Sequence, residues 1–293
     1  MTVCNQCPRG CGVPRDIAAG YCGEQSIIRI ARAAPHMWEE PPISGKNGSG
    51  TIFFSGCSLR CVYCQNYRVA ESEIGTPVTP EQLVRIMFDL RDQGVHNINL
   101  VTPSHFTAEL VPVLDAAKRQ GIGIPLLWNS SGYERPETLR LLDGLIDIYL
   151  PDFKYLNPQT AAQYSHAPDY PEVAKAALAE MVRQRGAQVF DADGMLLSGV
   201  QVRHLVLPGH TQESRQILWY LHRTYGSTIG VSVMNQYTPM PQVMRDPLLS
   251  RRVTEREYQT VLHYAELIGM EQILTQSGEA ADESFIPAFG MEL

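Results

Sequence analysis

Residues 55–66 read Ser55-Gly56-Cys57-Ser58-Leu59-Arg60-Cys61-Val62-Tyr63-Cys64-Gln65-Asn66. They directly follow Thr51-Ile52-Phe53-Phe54, a short apolar run that predicts a β-strand. The three cysteines have three and then two residues between them, and thiolates at this spacing can bind three irons of a cubane 4Fe–4S cluster. The fourth iron then has no protein ligand nearby, so its open position can take a small molecule. A zinc site is the alternative, but structural zinc requires a fourth ligand.

The chain after this segment alternates between short apolar runs and helical patterns. The expected strands lie at residues 98–101, 124–128, 146–150, 200–207 and 229–234. Helical patterns separate them, and one opens at Thr79-Pro80-Glu81 with a threonine N-cap. Strands that alternate with helices favour a parallel sheet with right-handed crossovers. Together with the strand at 51–54, they predict an α/β fold, a partial (β/α)6 TIM-like barrel rather than a closed eight-stranded one.

All seven cysteines of the 293-residue chain lie within its first 64 residues. Four of them, Cys4, Cys7, Cys11 and Cys22, precede the barrel and form a second set. Four thiolates can hold either an auxiliary 4Fe–4S cluster or a tetrahedral zinc ion. This set lacks the paired Cys-x-x-Cys knuckles of a zinc ribbon, which slightly favours the cluster.

Composition excludes several classes of protein. Hydrophobic residues make up 44% of the chain and charged residues 19%, which is typical of a folded domain rather than a disordered one. The net charge of −7 argues against a duplex nucleic-acid partner. No apolar stretch approaches the roughly 20 residues of a membrane-spanning helix, and the N-terminus does not resemble a signal peptide. We therefore expect no membrane association and a cytoplasmic location, where clustered cysteines more often bind metal than form disulfides.

We expect two parts along the chain. Residues 1–50 form a cysteine-rich, metal-binding N-terminal appendage with a proline-containing linker at 33–50, and residues 51–293 form the barrel.

The cysteine spacing after the first strand resembles the signature of the radical S-adenosylmethionine (SAM) superfamily. Within it, residues 51–273 are similar to homologues of pyruvate formate-lyase activating enzyme, an activase of glycyl-radical enzymes. The resemblance implies that Cys57, Cys61 and Cys64 hold a 4Fe–4S cluster whose open iron binds SAM. It further implies reductive cleavage of SAM to a 5′-deoxyadenosyl radical, which abstracts hydrogen from a substrate such as a glycine of a protein partner. Reduced flavodoxin or ferredoxin is the implied electron donor.

The resemblance also places cofactor contacts, since barrel sites lie at the carboxyl ends of strands. Thr102 and Ser104 follow the second strand, where the activases carry a Gly-Gly-Glu motif that is absent here; Thr102 could equally cap the following helix. Asn129 falls where the activases have an acidic residue, although a simple turn is the alternative. Lys154, in Pro151-Asp152-Phe153-Lys154, resembles the lysine that pairs with the cofactor carboxylate; a surface lysine is the alternative.

Three further residues complete the predicted cofactor pocket. Arg203 resembles an arginine at the activase cofactor, and Tyr237 falls near a pocket histidine of that family. Tyr63, which lies between Cys61 and Cys64, is expected to shield the cluster and to contact the adenine. His105 and His210 stand at strand ends without an assigned role.

Two other functions stay open on the sequence alone. One is radical modification of a small molecule or of another protein or peptide. The other is an iron–sulfur protein for electron transfer or redox sensing that turns over no substrate. Fold and superfamily do not fix the substrate.

Overall fold

The computed structural model describes residues 3–276 and 289. The strands in this part of the chain are β1 (Arg29–His36), β2 (Ser49–Phe54), β3 (Thr76–Pro77), β4 (Ile98–Val101), β5 (Leu126–Ser130), β6 (Ile148–Pro151), β7 (Val189–Phe190), β8 (Leu196–Leu205), β9 (Gly230–Met234) and β10 (Ile273–Thr275). The α-helices are α1 (Pro41–Ser44), α2 (Tyr67–Ala70), α3 (Pro80–Asp92), α4 (Thr107–Arg119), α5 (Pro136–Leu139), α6 (Pro158–Ser165), α7 (Tyr170–Arg185), α8 (Thr211–Tyr225) and α9 (Glu255–Leu267). Among the described residues, no helix is long and apolar enough to cross a membrane.

The strands form one open sheet in the order β10-β9-β8-β6-β5-β4-β2-β1-β3, with β7 paired to β8. Strands β2, β4, β5, β6, β8, β9 and β10 run parallel, whereas β1 is antiparallel to β2. The predicted α/β fold with a parallel sheet and a partial barrel architecture is confirmed. The short strand β10 adds a seventh parallel strand, which the sequence analysis missed because three residues are too few for a recognisable pattern.

Strand β5 begins two residues later than predicted. Pro125 accepts a backbone hydrogen bond from Ile98 at 2.9 Å, but it has no N–H of its own to continue the ladder. Regular pairing therefore starts at Leu126, and Asn129 lies within the strand rather than in the loop after it.

The segment at 33–50, interpreted above as a linker, contains regular structure. Its first residues belong to β1, and its last two belong to β2. Between them, α1 places Ile43 in a small buried cluster with residues from the inner face of the sheet, namely Leu127, Ile148, Leu150 and Leu196. The alternate residues Trp128 and Tyr149 belong to the main core instead, as expected because side chains alternate between the two faces of a strand.

A buried ion cluster ties the same N-terminal segment to the inner face. The Arg203 guanidinium donates to both carboxylate oxygens of Glu40, at 2.8 and 2.6 Å, and also contacts Glu39. Asn99 of β4 donates to Glu39 at 2.8 Å. Burial acts to raise the pKa of Glu40, but the charge of Arg203 outweighs it and lowers that pKa below its usual value. Residues 39–40 are thus held between β4 and β8.

The Arg203 cluster generates a stability prediction. Arg203→Met leaves Glu39 and Glu40 as uncompensated buried carboxylates, which should lower the free energy of unfolding by about 3–5 kcal/mol at neutral pH. Chemical denaturation checks this value. Arg119→Met is the matched control, because it removes an arginine whose ion pair with Asp115 lies on the surface and should leave stability nearly unchanged.

The difference in free energy of unfolding between wild type and Arg203→Met should also depend on pH. Because the folded protein lowers the pKa of Glu40, the carboxylate's contribution is present above its unfolded pKa, about 4.3, and is lost as pH falls through the folded value. The difference in stability between wild type and Arg203→Met should therefore become smaller at acidic pH. A gap that widens below pH 4 would contradict this account of the cluster.

Candidate functional site

The triad segment, residues 57–64, leaves the carboxyl end of β2. Gly56 joins β2 to this segment and has a φ of +82°. A Cβ added to Gly56 would lie 2.6 Å from the carbonyl oxygen of Cys22. Glycine is therefore required both by the left-handed backbone and by the close approach of another segment. The segment then turns back on itself, with the Cys64 N–H donating to the Cys61 carbonyl at 3.0 Å.

Hydrogen-bond donors point at two of the triad sulfurs. The Leu59 N–H is 3.4 Å from the Cys57 Sγ, and the Ser165 hydroxyl donates to the Cys61 Sγ at 3.0 Å. Burial raises the pKa of Cys64 to about 12, with further contributions from the charges of Cys61 and Cys57. Burial also raises the pKa of Cys61, against the charge of Lys154 and the Ser165 hydrogen bond. Metal binding at these thiols has to displace protons, and the charge of Lys154 and the Ser165 hydroxyl favour the thiolate form of Cys61.

The surroundings of the triad suit a bound group. Arg60 Nε, within the segment, and Asn66 Oδ1, two residues after it, are buried and have no hydrogen-bond partner in the described part of the chain. Within residues 3–276 and 289, no three His, Cys, Asp or Glu side chains converge closely enough to hold one metal ion. A cubane does not need such convergence, because each thiolate binds a different iron. The chemistry of the donors therefore fits a 4Fe–4S cluster.

Lys154 lies beside the triad in a partly buried ion pair. Its Nζ is 2.6 Å from Asp152 Oδ2, and the lysine side chain is 15% exposed. Burial acts to lower the pKa of Lys154, but the negative charges of Asp152 and Cys61 outweigh it and raise that pKa above its usual value. The Lys154 N–H donates to the Tyr170 hydroxyl at 2.9 Å, which fixes the backbone. A cation is therefore held next to the triad cysteines.

Aromatic side chains surround the triad on the side of α6. The hydroxyls of Tyr63 and Tyr155 are 2.7 Å apart, and that of Tyr155 is 2.8 Å from Ser165 Oγ. The Tyr237 ring lies 6.1 Å from the Tyr63 ring and donates its hydroxyl to Leu249. Tyr63 and Tyr237 are thus neighbours, as their predicted places in one pocket require.

Four other predicted contacts have different surroundings. Ser104 donates to the buried Glu134 at 2.8 Å, and Arg203 is bound in the ion cluster described above. Thr102 has a φ of +58°, an uncommon and strained backbone for a β-branched residue, and its N–H donates to the Asn129 carbonyl at 2.8 Å. The hydrogen bond between Thr102 and Asn129 thus joins the ends of β4 and β5.

The two unassigned histidines take structural positions. His105 is buried and its Nε2 donates to the Ser55 carbonyl at 2.7 Å, while burial lowers its pKa to about 3. A neutral ring therefore lies under the start of the triad segment. His210 Nε2 is 3.0 Å from the Tyr164 hydroxyl.

The four N-terminal cysteines gather in one loop, residues 4–22. The sulfurs of Cys11 and Cys22 both lie within 4 Å of the position that a Cβ on Gly20 would take. Burial raises the pKa of Cys7 to about 11, and the charges of Cys22, Cys4 and Cys11 add to it, so all four thiols are electrostatic neighbours. For Cys11, hydrogen bonds from backbone N–H groups overcome the effect of burial and lower the pKa. Four neighbouring thiols are the donor chemistry of a 4Fe–4S cluster, although no three of them converge on a single metal ion in the described part of the chain.

A large cavity lies away from these residues. It has a volume of about 720 Å³ and is lined by residues that include His96, Gln201 and Gly230, beside the amino end of β9. None of the predicted cofactor contacts lines it. We place the candidate site at the triad because its charges, donors and cysteines converge there, whereas in the cavity Gln188 donates to Gln201 at 2.9 Å.

Sequence reasoning missed several residues of the site. Ser165, Tyr155 and Tyr170 lie on or near α6 and α7, about a hundred residues after the triad, and no spacing signal connects them to it. Glu134 was missed for the same reason. Its carboxylate accepts hydrogen bonds from the Ser104 and Ser130 hydroxyls and from the Trp128 indole, which come from the ends of two different strands.

Comparison with known proteins bears on this site. The chain is 27% identical over 278 residues to an uncharacterized protein of Methanocaldococcus jannaschii, covering 92% of this chain and 76% of that protein. Methylornithine synthase superposes with a TM-score of 0.55 at 14% identity, over 82% of this chain and 74% of the other. Streptococcus suis SuiB, in a crystal structure with its precursor peptide SuiA, gives a TM-score of 0.52 at 13% identity, over 75% of this chain and 46% of SuiB.

The family match covers the part of the chain that carries the triad. The family model described as the radical SAM superfamily matches residues 51–218, which is more than half of the chain and includes the triad segment, β2 to β8 and Lys154. This chain therefore belongs to the radical SAM superfamily, whose members use a 4Fe–4S cluster and S-adenosylmethionine.

Proposed function

We propose that this chain is an enzyme that cleaves SAM reductively at the triad and abstracts hydrogen from a substrate presented by another molecule. When bound, the cluster and SAM supply a 5′-deoxyadenosyl radical for that abstraction. The single observation that carries the proposal is the partly buried Lys154, which lies close enough to Cys61 for the two charges to interact. An electron-transfer or redox-sensing protein would not need a desolvated cation next to its cluster, whereas binding the carboxylate of SAM would.

The roles of the residues follow from their positions. Cys57, Cys61 and Cys64 would hold the cluster, and Lys154 would exchange its Asp152 partner for the carboxylate of SAM. Tyr63 and Tyr237 would exclude water beside it. Asn129 and Thr102, joined at the ends of β4 and β5, would face the amino group of SAM with an amide or carbonyl oxygen. Arg203 acts structurally in this proposal, because Glu39 and Glu40 already neutralise it.

The substrate we favour is a segment of a protein partner, with a glycine as in the activases. The inner face of the sheet is filled by Ile43 and its cluster, and by the ion cluster of Arg203. These groups occupy the inner face around α1 and β8, so we expect the substrate to approach from the carboxyl edge. A flexible peptide segment can do so. A small molecule or a free peptide bound at that edge is the second candidate.

Two further assignments belong to this proposal. Reduced flavodoxin or ferredoxin would deliver the electron. Cys4, Cys7, Cys11 and Cys22 would hold a second metal group, either a 4Fe–4S cluster, which we favour, or a zinc ion.

Replacing the triad tests the first assignment. A variant with Cys57, Cys61 and Cys64 all changed to Ala should lose about four irons per chain, the content of one cubane, and should form no 5′-deoxyadenosine. Iron analysis and chromatography of the reaction mixture measure the two results. SAM cleavage that persists in this variant would exclude the proposed site.

Replacing Lys154 tests the carboxylate contact. Lys154→Ala should weaken SAM binding by about 1.5–3 kcal/mol, as expected for a hydrogen bond to a charged group. Calorimetry on anaerobically reconstituted protein measures the affinity. Lys175→Ala, which removes a lysine paired with exposed Glu172 on α7, should bind SAM as wild type does. Equal affinities for all three proteins would mean that Lys154 does not contact the cofactor.

Metal analysis distinguishes the two possibilities for the second set. If it holds a cubane, the reconstituted protein should contain about eight irons and little zinc, and a Cys4, Cys7 and Cys11 triple Ala variant should contain about four. If it holds zinc, both proteins should contain about four irons and the variant should lose one zinc. Four irons and no zinc in anaerobically prepared wild type would exclude both forms of the site.

A further inference from the structure

The Arg9 side chain connects the N-terminal cysteine loop to the triad segment and α6 through four hydrogen bonds to backbone carbonyls. It stands between Cys7 and Cys11, and its guanidinium reaches the triad segment, where Nε donates to the Ser58 carbonyl at 2.8 Å and Nη2 lies 3.3 Å from the Leu59 carbonyl. The same group donates to the carbonyls of Ser165 at 2.9 Å and His166 at 2.5 Å, at the end of α6. One side chain therefore holds the triad segment and the end of α6 together.

Ser165 carries this contact on to a triad sulfur. Its carbonyl accepts from Arg9, while its hydroxyl donates to the Cys61 Sγ at 3.0 Å. Hydrogen bonds to ligand sulfurs are among the factors that set the reduction potential of an iron–sulfur cluster. A displacement of Arg9 would thus move a donor to Cys61.

A second, direct contact joins the two sets. The Cys57 N–H lies 3.3 Å from the Cys22 carbonyl oxygen, so a backbone hydrogen bond joins one cysteine of each set. Ser72 also donates to that carbonyl at 3.2 Å. Gly56 permits this approach, since any side chain there would meet the Cys22 carbonyl and Glu24.

Arg9 is itself positioned by the N-terminal cysteine loop. Its backbone N–H is directed at the Cys7 sulfur, and its guanidinium lies 4.0 Å from the centroid of the Tyr21 ring, a cation–π distance. The backbone N–H of Tyr21 in turn is directed at the Cys11 sulfur. A metal that fixes Cys7 and Cys11 would therefore fix both the backbone and the stacking partner of Arg9.

We propose that Arg9 is a positioning residue that couples the two metal sites, so that metal at Cys4, Cys7, Cys11 and Cys22 holds the triad segment in its cluster-binding form. The inference rests on the proposed function for the presence of the triad cluster, and adds that the N-terminal site controls how firmly that cluster is kept. Sites joined by one hydrogen-bond network change their properties together rather than independently.

A double-mutant cycle tests the coupling. Arg9→Met keeps the apolar stem but removes every donor, and the Cys4, Cys7 and Cys11 triple Ala variant removes the N-terminal metal. The readout is the decay of the electron paramagnetic resonance signal of the reduced triad cluster under an iron chelator, without SAM or substrate. The signal is identified by its loss in the variant that lacks Cys57, Cys61 and Cys64. Each change alone should accelerate the decay by at least ~3-fold, at the low end of coupling within one network, and combining them should add little.

Two controls separate this coupling from general loosening of the N-terminus. Arg135→Met removes a contact between the barrel and Asn5 that does not reach the triad, so the decay rate should match wild type. Arg9→Lys keeps the charge but cannot span carbonyls in two segments, so its rate should lie between those of wild type and Arg9→Met. If Arg9→Met fails to fold, as judged by circular dichroism, Arg9→Lys replaces it in the cycle.

The results separate the two proposals. A decay unaffected by Arg9→Met, or effects of the two changes that simply multiply, would overturn the coupling while leaving the proposed function intact. No triad signal in wild type would overturn the proposed function itself. A coupled triad cluster in a protein that does not cleave SAM would retain the coupling and reject the enzyme.

Discussion

The burial of Arg203 is the constraint on which the arrangement of this protein depends. A guanidinium on the inner face of a sheet is strongly unfavourable unless carboxylates meet it, and Glu39 and Glu40 do so from a segment that precedes the first parallel strand. This pairing brings residues 39–40 between β4 and β8 and keeps α1 and Ile43 against the inner face. The N-terminal segment thereby becomes part of the barrel rather than a tether beside it.

With the inner face filled, chemistry is directed to the carboxyl edge of the sheet. There the triad segment, Lys154 and the tyrosines around Ser165 meet in a small volume, although they come from β2, β6 and α6. Each contributes a property that water would weaken: a donor to sulfur, a desolvated cation, or an apolar wall. Their common location would allow a single edge to serve both the proposed cluster and the proposed cofactor.

Much of the fold and part of the candidate site could be predicted from the sequence. The features that were missed depend on contacts between residues far apart in the chain or on backbone hydrogen bonding. Strand–helix alternation predicted six of the seven parallel strands but not β1, and the spacing of Cys57, Cys61 and Cys64 predicted the family. Local patterns could not predict the partner of Arg203, because ion pairing between residues 163 and 164 positions apart leaves no periodicity. For the same reason Ser165 was missed as a donor to Cys61, 104 positions earlier. The two-residue shift of β5 followed from a missing N–H at Pro125, which residue-type preferences alone did not resolve.

The long separation between Arg9 and its acceptors has a consequence for how the protein is made. Arg9 and His166 are 157 positions apart in the chain. At a synthesis rate of about 5–20 residues per second, the end of α6 is completed roughly 8–30 s after Arg9 has been added. During that interval the four N-terminal thiols have no barrel to dock on, so they are accessible to oxidants and to whatever metal is available. Loading of the proposed N-terminal metal site would therefore require either a delay until the barrel is complete or protection of these thiols by another molecule during synthesis.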